Sequence, residues 1–415
     1  MTNDVSVRSA FTPQVWLTII VCGLGYFVDI YDLILFSIVR VDSLTAIGVT
    51  AAGMQDASEL ILNSQMIGML IGGLLFGSLA DKRGRLSVLL ASILVYSVMN
   101  IANAFVASVP MYALFRFIAG IGLAGELGVA ITLVAEIMPR HARGYGTTIV
   151  ASMGILGAVA AYVVHEMFDW KAAFIIGGLM GLALLVTRVR VAESGMFEKT
   201  AASDVARGSI GMLLRNKRWA PYLSSVAIGV PIWYVIGILI TFSPEFTKAS
   251  GSSDIVVGGQ GVMWAYVGLS AGDLVSGLVS QWLRSRRRAI LVFLLLTSAC
   301  IVWYLTAPQK SASTTYFMCA CLGFCVGYWA VFVTTAAEQF GTNLRATVAT
   351  TVPNVVRGSL VPAVLLFGSL RHTYAADPMG LQKAALIVGA VVMSLAFLGW
   401  YFLHETYGKD LDYVE

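Results

Sequence analysis

Charge is what this sequence has least of. Asp, Glu, Lys and Arg together supply 12% of 415 residues, about half of the roughly 25% found in a soluble domain. A chain that is 58% hydrophobic cannot cover itself with polar groups, which excludes an ordinary soluble enzyme. No Walker-type loop is present, so ATP is not the expected energy source, and no nucleophile stands at helical spacing from a base. Cysteine is also scarce. The five, Cys22, Cys300, Cys319, Cys321 and Cys325, lie in apolar runs without His partners or paired CxxC spacing, so neither a disulfide framework nor a metal site is expected. Gly120-Ile-Gly122-Leu-Ala-Gly125 has the GxGxxG spacing, but it sits inside an apolar run and not after a strand, so it fails as a dinucleotide loop. No cofactor is expected.

What the chain does have is long apolar runs. A membrane span needs about 20 mostly apolar residues, and twelve such stretches occur near 15–39, 58–80, 86–107, 110–136, 145–165 and 171–190, then 220–242, 257–282, 288–306, 314–337, 346–369 and 383–404. The first is too long for a cleaved signal peptide and carries two Asp residues, so it is read as span 1. With the N-terminus placed in the cytoplasm, nineteen Lys and Arg fall on the inner side and six (Arg40, Lys171, Lys248, Lys310, Arg371 and Lys383) on the outer side. That is the positive-inside asymmetry. It predicts a multi-pass protein of the cell inner membrane with both termini cytoplasmic, and it explains the net charge of +4 without nucleic acid.

The longest polar segment, 191–218, separates an N-terminal set of six spans (1–190) from a C-terminal set (219–415). A faint repeat relates them: Gly77-Ser-Leu-Ala-Asp81-Lys-Arg-Gly-Arg85 closes span 2, and Gly277-Leu-Val-Ser-Gln281-Trp-Leu-Arg284 with Arg286 to Arg288 closes span 8. Parallel six-span halves with a solute site between them near the midplane are a known transporter plan.

Gly77 to Arg85 resembles the loop signature of the major facilitator superfamily. Span 4, Arg116-Phe-Ile-Ala-Gly120-Ile-Gly122-Leu-Ala-Gly125-Glu126, ends in Glu136-Ile-Met-Pro139-Arg140-His-Ala-Arg143-Gly144. With VAESGMF after span 6 and AEQFGTNLRAT after span 10, it is similar to the metabolite:proton symporter, sugar and organic-ion branches. Drug:proton antiporters carry a Gly-Pro-rich motif in span 5, whereas here Gly154-Ile-Leu-Gly157-Ala-Val-Ala-Ala has no proline. The resemblance implies an all-α integral membrane protein of twelve helices in two pseudo-symmetric halves. It also implies gating by Gly77, Asp81 and Arg85, with Arg143 as the basic partner of Asp81; topogenic charge alone is the competing reading.

Ionisable side chains within spans cost about 2.5–3.5 kcal/mol each on insertion scales, so six need a reason: Asp29, Asp32, Arg116, Glu126, Asp273 and Arg357. Asp29 and Asp32 share a face of span 1, at a depth close to that of Arg116 on span 4. The resemblance adds that an Arg at this place commonly faces an acid on span 1 and tunes its protonation. Asp29, Asp32, Arg116 and Glu126 are therefore the proton-coupling candidates, against a purely structural ion pair. Arg357 lies near the midplane, cannot lose its proton, and offers a fork for a carboxylate or phosphate. It is the first substrate-binding candidate, with Asp273, Tyr31 and Trp329 beside it; a structural Arg357–Asp273 pair is the alternative.

The expected function is proton-coupled uptake of a small organic anion by a carrier acting as a monomer in the lipid bilayer. Transport of a larger solute such as a carboxylate-type iron chelate, proton-coupled export, and a membrane-embedded sensor are the alternatives.

Overall fold

The computed structural model describes residues 13–83, 85–125, 143–193, 218–308 and 311–408, which are helical with no strand among them. The first six spans are α1 (Pro13–Ala46), α2 (Met54–Arg83), α3 (Arg85–Asn103), α4 (Val109–Leu123), α5 (Arg143–Met167) and α6 (Trp170–Glu193). The seventh is composite: α7 (Trp219–Tyr234), a π-helical turn (Val235–Ile240) and α8 (Ser243–Ala249). Then come α9 (Gly258–Trp282) and α10 (Arg286–Thr306), the broken pairs α11 (Ala312–Cys325) with α12 (Trp329–Glu338) and α13 (Thr342–Gly358) with α14 (Leu360–Thr373), and last α15 (Gly380–Phe402). Nine described stretches are long and apolar enough to cross a bilayer, and three shorter apolar helices, Leu90–Asn103, Val109–Leu123 and Met153–Met167, complete twelve.

Burial is inverted relative to a water-soluble protein. Leu278 is 70% exposed and Phe317 63%, while Arg40, Arg116 and Arg357 are at most 1% exposed. Lipid solvates the apolar exterior, so charge retreats to the interior of the bundle.

The two halves repeat each other in their close contacts. A Cβ on Gly68 or Gly120 would lie 2.0 or 2.2 Å from a backbone oxygen of α4 or α2, and one on Gly268 or Gly323 would lie 2.0 or 1.9 Å from one of α11 or α9. Only glycine lets the backbones of spans 2 and 4, and of spans 8 and 10, approach this closely. The hydroxyl of Tyr31 donates to the Ala173 carbonyl at 2.8 Å, tying α1 to α6. Tyr234 does the same from α7 to the Ala385 carbonyl of α15 at 2.6 Å.

Helix α1 is longer than the apolar run suggests. It continues to Ala46, so Asp29 and Asp32 lie 17 and 14 positions from its end, roughly 25 and 21 Å at 1.5 Å per residue. Both acids therefore sit near the middle of the helix and not in its outer third. The end of the bundle where α1 finishes is called distal below, and the end where it begins proximal.

Candidate functional site

Two buried ion pairs occupy the centre of the bundle. Arg116 of α4 donates through Nη1 to Asp32 Oδ1 at 2.7 Å, through Nη2 to the Asp32 carbonyl at 2.9 Å and through Nε to Gln65 Oε1 at 3.2 Å. Gln65 in turn donates to the Leu33 carbonyl at 3.1 Å. Every nitrogen of this guanidinium has an acceptor within the first half, which fixes the Arg116–Asp32 pair in place.

The second pair crosses between the halves. Arg357 Nη2, in the last turn of α13, lies 3.6 Å from Asp29 Oδ2 of α1, with the two side chains 1% and 0% exposed. Its remaining contacts are loose. Nη1 reaches Asn354 Oδ1 at 3.5 Å, Nε has no acceptor among the described residues, and its carbon stands 5.8 Å from the ring centres of both Trp233 and Trp329. Asn354 also bridges the halves, donating to the Ala124 carbonyl at 2.9 Å.

The backbone around Arg357 is irregular. Trp233 lies two residues after Pro231 and just before the π turn of span 7. Trp329 opens α12 after the break in span 10, and Arg357 precedes the break at Ser359 in span 11. Irregular backbone at membrane depth is tolerated only where protein buries it or it lines a cavity, and π turns concentrate at functional sites.

Some expectations change here. Asp29 and Asp32 do not act as one dyad, because Asp32 engages Arg116 while Asp29 faces Arg357. Asp273 is not the partner of Arg357. Its Oδ1 accepts the Ala330 amide of α12 at 3.0 Å, so it caps the half-helix that carries Trp329. Tyr31, expected to contact substrate, has its hydroxyl committed to Ala173 and is a structural tie. Glu126 lies outside the described residues, and so do the side-chain placements of Gly77, Asp81, Arg85 and Arg143.

Nothing in the sequence marks the distal closure. Arg40 is buried, and its Nη2 contacts both carboxylate oxygens of Glu245 on α8 at 2.6 and 2.7 Å. Its Nε donates to the Thr241 carbonyl at 3.2 Å, and Phe242 lies 4.9 Å beneath it. Nearby, Arg371 of α14 pairs with Asp56 and Glu59 of α2. Arg40 reads in the sequence as an outer-loop charge, and nothing local marks Glu245 as its partner.

Twelve spans in two repeated halves, with buried charge where the halves meet, define a carrier that moves small molecules across a membrane and does not transform them. The sequence profile of the Major Facilitator Superfamily matches residues 15–364, and the chain belongs to that family. It is 26% identical to the niacin transporter NiaP of Acinetobacter baylyi, with 95% of both chains covered. It is 25% identical to the gentisate transporter of Corynebacterium glutamicum over 91% of this chain and 86% of that one. The crystal structure of a D-xylose-proton symporter matches the fold with a TM-score of 0.72 at 16% identity, covering 96% of this chain and all of the other.

Proposed function

We propose that the protein imports small organic carboxylates together with protons, using Arg357 as the anion site and Asp29 as the proton site. The buried Arg357–Asp29 pair between the halves is the observation that carries this reading. Its 3.6 Å separation is longer than the roughly 2.7–2.9 Å of a hydrogen-bonded ammonium-type donor and carboxylate, so the fork of Arg357 is held without being filled. A substrate carboxylate that takes the fork leaves Asp29 buried without its guanidinium, at a cost of several kcal/mol for an ionised group. Taking up one proton removes that cost. When the proton is later lost, ionised Asp29 competes for Arg357 and expels the anion. The Arg116–Asp32 pair stays closed throughout and anchors α1.

Niacin and gentisate, named for two relatives, are both aromatic carboxylates, which supports an organic anion as the solute. The charge asymmetry supports cytoplasmic termini in the inner membrane, with the distal end facing outward. One chain contains both halves of the site, so a monomer suffices.

Proteoliposomes with an imposed pH gradient test the reading. Asp29→Asn is expected to abolish gradient-driven accumulation of a carboxylate while solute exchange continues. Accumulation by Asp29→Asn at the wild-type level would overturn it.

A further inference from the structure

The tryptophans beside Arg357 have no role in the charge exchange, yet their placement is costly. Trp233 is 4% exposed and Trp329 7%, and the Nε1 donor of Trp233 has no acceptor among the described residues. A buried donor without a partner is destabilising and calls for an explanation. The Nε1 donor of Trp329 is likewise without a hydrogen-bond partner among the described residues, so both indoles hold an unused donor beside Arg357. Both rings stand 5.8 Å from the guanidinium carbon, and each is placed by a helix irregularity: the π turn after Tyr234 and the break before α12.

We infer that Trp233 and Trp329 form the ring-recognition part of the substrate site. The solutes selected are planar aromatic monocarboxylates that carry a hydrogen-bond acceptor on the ring. The inference rests on the reading that Arg357 holds the carboxylate. With the carboxylate on Arg357, the ring extends to the indoles and packs against them, as aromatic rings do at about 4.5–7 Å between centroids. An acceptor in the ring plane, such as a pyridine nitrogen or a ring hydroxyl, then receives the Trp233 N–H. A site built around a buried donor discriminates strongly against a ligand that leaves it unpaired. This explains why an N–H is kept dry next to a charge.

The test uses the purified full chain and three probes of similar size: pyridine-3-carboxylate, benzoate and cyclohexanecarboxylate. Binding is measured by thermal shift and by counterflow in proteoliposomes. Wild type is expected to rank them in that order. Trp233→Phe keeps an aromatic face and removes the N–H, so it should lower the pyridine-3-carboxylate to benzoate affinity ratio by about fivefold, corresponding to a hydrogen bond of about 1 kcal/mol. Trp329→Leu should narrow the preference for benzoate over cyclohexanecarboxylate. Monodisperse elution in size-exclusion chromatography shows that each variant has folded. If wild type binds pyridine-3-carboxylate and benzoate equally, or if Trp233→Phe leaves their ratio unchanged, the ring assignment is wrong while the carboxylate reading stands. If the methyl esters bind as well as the acids, the Arg357 reading fails, and this assignment fails with it.

Discussion

At the scale of single residues, the two arginines of the core differ in how completely they are satisfied, and that separates their roles. Arg116 has acceptors on all its nitrogens, whereas among the described residues Arg357 has a long ion pair with Asp29, a long contact with Asn354 and no acceptor for its Nε. Arg357→Lys keeps the charge but loses the fork, and should weaken carboxylate affinity by roughly tenfold or more, since a hydrogen bond to a charged group contributes about 1.5–3 kcal/mol. Isotope-labelled ligand binding at fixed pH checks this; an unchanged Kd would remove Arg357 from the site. Arg116→Ala should instead lower the yield of folded protein, because it strands the buried carboxylate of Asp32. These residues were legible in the sequence because charge inside an apolar run is rare enough to stand out. Their pairing was not. The apolar run of span 1 ends near residue 39, which sets depths too shallow, and Arg40, which reads as a loop charge, is buried inside a helix that continues to Ala46.

At the scale of elements, glycine spacing governs how closely spans approach. Gly120→Ala should lower the melting temperature by several degrees, because its Cβ would press on the Gln65 carbonyl of α2. Gly277→Ala meets nothing within 4 Å and should be neutral or raise it, as replacing a helix glycine whose Cβ has open space contributes about 0.5–1 kcal/mol. Equal melting temperatures for the two variants would contradict the packing argument. At the proximal end, Glu405 follows α15 and accepts the Arg286 and Arg287 amides at 2.9 and 3.3 Å together with the Ser285 hydroxyl, capping α10. Burial pushes its carboxyl up, but its hydrogen bonds with Ser285, Tyr407, Arg286 and Arg287 together outweigh burial and leave it below the ordinary range. A carboxyl depressed in the folded state contributes stability above its unfolded value, about 4.3 for Glu, and that contribution fades as pH falls through the lower folded value. Thermal melts from pH 6 to 3 should therefore show a smaller acid-induced drop in Glu405→Gln than in wild type. The apolar periods and the charge runs mark the spans, and Gly358 marks the interruption of span 11 that falls at Ser359, whereas the break at Val326–Tyr328 and the π turn have no comparable local signature, being set by how spans pack against one another.

At the scale of the whole molecule, the distal end is locked by Arg40–Glu245 and by Arg371 with Asp56 and Glu59, each joining the first half to the second. Alternating access requires these contacts to part. Arg40→Ala should shift the population toward a distally open form, by tenfold or more if the lost charge-assisted bonds amount to about 1.5–3 kcal/mol. Spin-label distances across the distal face measure the shift, and Arg40→Glu with Glu245→Arg should partly restore closure. Span 7 bears on both the lock and the site, since Trp233 and Glu245 are joined only through the π turn Val235–Ile240 and a short link. Each residue of an α-helix turns the chain by about 100°, so the π turn sets the angular phase between the tryptophan and the glutamate. Deleting one residue there would leave every side chain of site and lock intact and still swing Glu245 about a quarter-turn away from Arg40. Whether recognition and closure stay synchronised in this carrier is thus a question of chain length within one turn, a variable that substitution scanning never samples.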